Sequence, residues 1–291
     1  MPYRRRLAAS AQGAAGGGSV PAAGLRPRSR RVDAPRAQGA APAPGLSTGH
    51  ILRAVAKLAE RLCVRRPSRH LDIGAGHGDL IAMLRHGWPG LDSSACDSDS
   101  GLMRLPGMHV DPVNLNGGTL PYADGSFDLV TCTEVIEHVE NFRATLREAR
   151  RVLKPGGVLV VSTPNILNFK SRLRFLVFGF WSLFGPLSAK AGRGHECGGH
   201  ISPISLYYLL HAMAETGFTE TTVDIDKRQR SSLLLLAPVY PLLRVMSALT
   251  LRREKRRYRT VDAHNERDVR MINRLDILLG RTIVVGCRKP G

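Results

Sequence analysis

The 291 residues include 43% hydrophobic and 23% charged side chains, enough apolar material for one large domain with appendages and too much for a fully disordered chain. Glycine has no three-residue period, and the five cysteines (63, 96, 132, 197, 287) are scattered without a C-x-x-C pair. That excludes collagen-like and disulfide-scaffold classes and reads as the reduced thiols of a cytosolic protein. Forty-two Lys and Arg against 24 Asp and Glu give +18, so nucleic acid or an anionic membrane surface is the first partner class to weigh.

The charge is concentrated in two places. Residues 1–48 hold eight arginines and one acid, Asp33, and residues 252–259 (RREKRRYR) hold six bases and Glu254, so the remainder is only mildly basic. The Ala/Gly/Pro/Arg-rich stretch 1–48 is predicted to be a disordered basic arm, because it lacks the apolar surface that would offset its ordering entropy. No apolar run follows Arg6, so a secretory signal is not expected. A transit-like segment, a tether to an anionic surface and an extension without a role stay open.

The folded part is predicted over 49–291. From Ser47 and Thr48, both N-cap types, Ile51, Leu52, Val55, Leu58, Ala59 and Leu62 recur at helical spacing before Pro67. Then strand, turn and helix alternate: strand 70–73, turn 74–78, helix 79–86, strand 94–97 and strand 127–132 (FDLVTC). A helix over 137–154, closed by Pro155-Gly156-Gly157, and a strand over 158–162 (VLVVS) follow. This rhythm predicts an α/β, doubly wound, mostly parallel sheet with helices on both faces. Ligands then belong at the carboxyl ends of the strands, near the topological switch point. The apolar runs 175–189 and 231–243 fall short of the roughly 20 residues a spanning helix needs. They also contain Gly179, Gly185, Pro186, Pro238 and Pro241, so core or interfacial helices and no transmembrane segment are expected.

The strongest local signal is Leu71-Asp72-Ile73-Gly74-Ala75-Gly76-His77-Gly78, with Asp97 at the tip of the next strand. Glycines suit a backbone that turns sharply out of a strand and must approach a ligand without a Cβ in the way. A carboxylate at the second strand's tip suits ribose hydroxyls. The spacing is G-x-G-x-G rather than G-x-G-x-x-G, and Asp72 stands two residues before the first glycine. An acid there repels phosphate and favours a cationic or amino-bearing ligand.

LDIGAGHGDL (71–80), ACDSDSGLM (95–103), VNLNGGTLPYADGSFDLVTCTEVIEHV (113–139) and LREARRVLKPGGVLVVSTPN (146–165) resemble, in order and spacing, the successive motifs of class I S-adenosylmethionine-dependent methyltransferases. Residues 198–218 resemble a later helix of that fold and 278–290 its closing antiparallel strand. The resemblance implies a Rossmann-like seven-stranded sheet and S-adenosyl-L-methionine as cofactor. It puts Asp72 near the methionine amino end, Gly74, Gly76 and Gly78 in the cofactor turn, and Asp97 on the ribose. Asn114 aligns with the family's adenine-flanking acid, a departure that leaves the amide and the Leu115 backbone to hydrogen-bond; Thr133 joins the cofactor set.

Methyl transfer from a sulfonium is an in-line displacement, so orientation and exclusion of water dominate. Thr131-Cys132-Thr133-Glu134 stands where base methyltransferases resemble one another in an N-P-P-Y type tetrad or a Pro-Cys, which disfavours nucleic acid. Thr163-Pro164-Asn165 resembles enzymes acting on small molecules, glycans or lipid-linked intermediates, similar to those of ubiquinone biosynthesis, so O-methylation is the expected reaction. His138 is the candidate base or substrate orienter, against a capping or packing role, and His200 is placed toward the acceptor. His195, Cys197 and His200 raise a metal reading, but no fourth ligand has recognisable spacing, so no metal is expected and a mobile covering loop is preferred. The insertions at 165–202 and 231–260, with Lys170, Arg172, Arg174 and the 252–259 cluster, are read as a helical cap over the site, with a face lying on anionic lipid as the secondary reading and a plain helical subdomain core with a solvated basic edge as the alternative. The expected location is cytoplasmic, at a membrane periphery. Two rivals remain: a nucleic-acid methyltransferase using the basic segments, and a non-catalytic cofactor-binding or lipid-associated protein.

Overall fold

The computed structural model describes residues 47–187 and 199–291. The predicted arm over 1–48 lies almost wholly outside the described residues, as do His195, Glu196 and Cys197.

The chain runs α1 (Gly49–Leu62), β1 (Arg69–Ile73), α2 (Asp79–Gly87), β2 (Asp92–Asp97), β3 (Val110–Pro112), β4 (Phe127–Thr133), α3 (Phe142–Val152) and β5 (Leu153–Pro164). It continues through α4 (Phe169–Phe178), α5 (Leu206–Glu215), β6 (Thr219–Ile225), α6 (Arg230–Leu236), α7 (Tyr240–Arg253), α8 (Glu266–Met271), α9 (Leu275–Leu279) and β7 (Thr282–Arg288). The sheet order is β3-β2-β1-β4-β5-β7-β6. The β1–β2, β2–β3, β1–β4 and β4–β5 pairings are parallel, whereas β7 is antiparallel to both β5 and β6. The chain leaves β1 toward β2 on one side and returns to pair β4 on the other, so the switch point lies between the carboxyl ends of β1 and β4.

Alternation along the strands builds two apolar layers. Leu129, Val158, Val160 and Val284 pack with Ile51, Val55, Leu58, Leu80 and Leu84 of α1 and α2. Val130, Leu159, Val161 and Val285 pack with Leu146, Val152, Leu206 and Leu209 of α3 and α5. Side chains two apart share a face, which is why the central strands read as continuous apolar runs. Each such fully buried side chain contributes about 1.5–3 kcal/mol. Thr48 occupies the N-cap of α1, but its side chain makes no capping hydrogen bond; its carbonyl accepts from the Ile51 and Leu52 amides.

The predicted helix over 137–154 is shorter than its periodicity suggested. Ile136–His138 forms a separate 3-10 turn, and α3 begins only after Asn141, whose side chain accepts from the Ala144 amide. Glu137 is wholly buried, which a solvated first turn does not allow. At the other end Pro155-Gly156-Gly157 does not close the helix but lies inside β5. Gly156 has φ +76°, and the β4–β5 register shifts between Phe127 and Leu129.

In the predicted cap, the apolar run 233–251 breaks into α6 and α7, with Pro238 between them. Arg230–Leu236 and Tyr240–Tyr258 meet at 74°. Among the described residues no single helix is long and apolar enough to cross a membrane, although this bent pair together has the length and composition. Leu236, Leu278 and Leu279 form a small core with Phe169, Tyr240 and Leu243, joining α4, α6, α7 and α9. The outer faces stay uncovered. Ser171 is the one buried residue of α4, and α7 has none.

Candidate functional site

At the end of β1 the glycine turn is built as the sequence demands. Gly74, Gly76 and Gly78 all take positive φ (71°, 51° and 83°), a region that penalises any side chain. The Gly74 and Ala75 amides both donate to the Cys96 carbonyl at 2.8 and 3.2 Å, tying the turn to β2. A Cβ on Gly74 would fall inside the van der Waals shell of Val135 Cγ2, so the turn is packed tightly against the segment that follows β4. Asp97, at the tip of β2, accepts from the Gly76 amide through Oδ2 at 2.8 Å, and its Oδ1 accepts from the Asp99 amide at 3.1 Å. The acid and the glycines named from the sequence therefore meet.

Asp72 lies beneath the turn, 2% exposed. Its Oδ1 accepts from the Thr131 hydroxyl at 2.6 Å, and Thr131 Oγ1 lies 2.8 Å from His70 Nε2. With the Thr131 proton directed at Asp72, the His70 ring donates from Nε2. Burial keeps that ring neutral, its pKa pulled down to about 3. Burial also pushes the Asp72 carboxyl up to about 7, against the Thr131 hydrogen bond and helped by the nearby Asp97 charge. A carboxyl whose folded pKa is raised favours folding below its ordinary pKa and loses that contribution as pH rises through the folded value. The Asp72 contribution to stability is therefore expected to fall from about pH 4 to about pH 8, by on the order of 4 kcal/mol for three pK units, while the buried neutral His70 contributes with the opposite sign below about pH 6.5. Chemical denaturation of the cofactor-free protein isolates it as the difference between Asp72→Asn and wild type, which should move in favour of the variant as pH rises through about 7; a difference that does not change with pH would overturn the assignment.

Asn114 sits in an exposed turn where its side-chain oxygen accepts from the Asn116 amide and its carbonyl from the Gly118 amide. Leu115 packs against the main core. Thr133 is buried at the end of β4, and its hydroxyl has no partner.

The segment after β4 holds groups that reading from sequence passed over. Glu134 adopts φ +55°, an unfavourable conformation for a residue with a side chain. Its amide donates to both the Ser162 carbonyl and Oγ (3.2 Å each), while its Oε1 accepts from the Ser162 hydroxyl at 2.9 Å. Burial lifts its pKa to about 7. Glu137 accepts from the Thr163 hydroxyl through Oε2 at 3.1 Å, whereas its Oε1 is buried without a partner. Burial, and then the neighbouring Glu134, hold the Glu137 carboxyl well above the usual range. Its main-chain carbonyl takes the Ile201 and Ser202 amides at 2.9 and 3.0 Å, which brings the 199–202 segment against the 3-10 turn.

His138 and His200 therefore lie together, ring centroids 4.8 Å apart and edge to face. His138 Nδ1 is 3.2 Å from the Gly199 carbonyl, and Phe184 from the 165–187 insertion stacks obliquely on His200 at 5.1 Å. Burial depresses both imidazole pKa values; the Gly199 carbonyl partly offsets this at His138, and His138 adds to it at His200. Two residues far apart in sequence thus meet after β4. The two acids beside them were visible as an E-x-x-E-H pattern directly after a buried strand.

A seven-stranded sheet with one antiparallel strand, a glycine turn and an acid on the neighbouring strand define the class I S-adenosylmethionine-dependent methyltransferase architecture. Residues 48–223 match the family model described as a methyltransferase domain, and the chain belongs to that family. It is 40% identical over 112 residues to a demethylmenaquinone methyltransferase of Corynebacterium efficiens, covering 37% of this chain and 47% of that protein. Over 123 residues it is 32% identical to a protein of the same name from Thermus thermophilus, covering 40% and 56%. The chain spans about half the length of the curated relatives it matches. Among solved structures, a SAM-dependent methyltransferase from Archaeoglobus fulgidus has the same fold, with TM-score 0.50, 16% identity, and 82% and 94% of the two chains covered.

Proposed function

We propose that the chain transfers the methyl group of S-adenosyl-L-methionine to an oxygen of a small or lipid-linked acceptor by in-line displacement. The observation that carries the reading is the Asp97 carboxylate held on the Gly76 amide at the tip of β2, beside the switch point, which suits a ribose with its tail across the glycine turn. In this reading Asp97 binds the ribose hydroxyls and Gly74, Gly76 and Gly78 admit the cofactor backbone. Asp72 faces the cationic amino end, Asn114 and the Leu115 backbone flank the adenine, and Thr133 lines the same cleft. His138 and His200 face the acceptor beside Phe184 of the 165–187 segment.

An apolar acceptor is supported by the side chains left bare on α4, α6 and α7. Leu176 is 80% and Leu234 77% exposed, and Phe178, Leu242, Val245 and Leu249 join them. The basic residues 252–259 run from the last two residues of α7 through a π-helical turn, Glu254–Tyr258, to Arg259. An apolar face with a cationic border fits the surface of an anionic bilayer better than a nucleic acid, which needs a charged rather than an apolar footprint. The protein then works on the cytoplasmic side at the membrane periphery. Relatives named demethylmenaquinone methyltransferase support a small-molecule acceptor.

The test is to incubate the full chain with methyl-labelled S-adenosylmethionine and, separately, membrane lipid extract, soluble small molecules and RNA. Label is expected in the solvent-extractable lipid or small-molecule fraction. Label in RNA, or in none of the three, overturns the reading. In the same preparation the protein should float with anionic vesicles, and Leu176→Glu with Leu234→Glu should abolish flotation; wild-type protein that stays at the bottom removes the membrane from the picture.

A further inference from the structure

We propose that Glu137, His138 and His200 bind a divalent metal ion of the zinc, cobalt or manganese type. Among the described residues this is the one group of three potential ligands, and one ligand atom from each lies within 4.8 Å of the others. Two imidazoles and one carboxylate are a known catalytic donor set that leaves a coordination position open. Bonds of about 2.0–2.2 Å require ligand atoms roughly 3–3.5 Å apart, so side-chain rotation on the order of an ångström closes the site.

The hydrogen bonding fits such a donor set. Glu137 Oε1 and His200 Nδ1 are both buried and without a partner, an arrangement that native interiors rarely tolerate. The remaining valences are spoken for. His138 Nδ1 lies on the Gly199 carbonyl, which fixes the lone pair on Nε2; Glu137 Oε2 holds the Thr163 hydroxyl; the Leu183 carbonyl hydrogen-bonds the His200 ring. Such outer partners orient ligands and set the imidazole tautomer. Leu183, like Glu134, stands at positive φ, so the backbone on both sides of the pocket is held in unfavourable conformations. A plain histidine base explains none of this: proton abstraction by His138 does not need a buried carboxylate oxygen and a second imidazole left unpaired beside it.

The inference rests on the proposed function in one respect. With the acceptor oxygen in its open position, the ion would lower that oxygen's pKa so that its proton leaves to solvent water, the oxygen would then take the methyl group as S-adenosylhomocysteine departs, and the histidines would act as ligands rather than bases.

Metal binding is read without reference to catalysis. The full chain, stripped with a chelator, is titrated with cobalt(II) and followed by its visible absorption. The expected result is stoichiometric binding with the intense bands of a four- or five-coordinate ion, displaced by zinc. Glu137→Gln, His138→Ala and His200→Ala should each lose the spectrum while keeping a native circular dichroism profile. Thr163→Val, which only unties Glu137, should weaken binding about 10- to 100-fold. No cobalt spectrum in the wild-type chain overturns the inference, as does a spectrum that survives Glu137→Gln and Thr163→Val, which would assign the ion to other ligands such as His195 and Cys197. Cobalt binding without methyl transfer to any fraction sinks the proposed function and leaves the site; methyl transfer by a chain that binds no metal does the reverse.

Discussion

Asp97→Ala is expected to weaken S-adenosylmethionine binding by about 3 kcal/mol or more, roughly a hundredfold or more in Kd, because two hydrogen bonds to a charged acceptor disappear together. The substitution also frees the Gly76 amide, whose partner is Asp97 Oδ2. Asp97→Asn separates the two effects. The amide oxygen still accepts from Gly76, so the turn keeps its shape, while the second acceptor and the charge are gone. Calorimetric titration should place Asp97→Asn between wild type and Asp97→Ala. Equal affinity for all three would remove Asp97 from the cofactor site and with it the donor half of the proposed reaction.

Gly74→Ala should be the most damaging methyl group that can be added to the chain. At φ +71° a side chain costs about 1–2 kcal/mol. The new Cβ also presses on Val135 Cγ2, and overpacking of this kind costs about 1–3 kcal/mol more. A combined loss of about 2–5 kcal/mol lowers Tm by roughly 5–15 °C for a domain of this size. The two contributions respond differently to a second change. Val135→Ala makes room for the Cβ without altering φ, so the double variant should recover the steric part and show a favourable coupling in a double-mutant cycle. Strict additivity would mean that the turn shifts away from Val135 and that the contact has no bearing on stability.

Much of this architecture is written locally. The apolar runs FDLVTC and VLVVS are continuous because both faces of their strands are covered, and the glycines at 74, 76 and 78 announce a turn that only positive φ can make. The pairing of Asp97 with that turn followed from its place at a strand tip. What stayed hidden depended on contacts distant in sequence. Glu137 reads as the start of a helix because an acid suits that position; in the structure it is buried in a 3-10 turn against which the 199–202 segment folds back. The sequence names His200 as facing the acceptor, but its contact with His138, 62 positions earlier in the numbering, exists only because that segment folds back. Pro155-Gly156-Gly157 carried a true signal of helix termination, but the strand starts at Leu153 and absorbs the three residues as an irregularity. In the cap, composition marked the apolar runs correctly; that their outer faces stay bare is a property of how little α4, α6 and α7 have to pack against.

The position of β7 has a consequence for how the protein is made. This strand lies between β5 and β6, although both are synthesised before it. Gly286 of β7 admits Leu58 and Leu62 of α1 at close range, and Arg288 Nη2 donates to the Leu62 carbonyl at 2.6 Å. Until residues 282–288 have left the ribosome, the seven residues 158–164 that pair with β7 present an unsatisfied strand edge, and the apolar side of α1 lacks part of its floor. A nascent chain in that condition is a template for intermolecular pairing. Closure of the sheet therefore waits for residues 282–288, and a chain stalled before β7 is expected to hold β5 and β6 apart with their facing edges open.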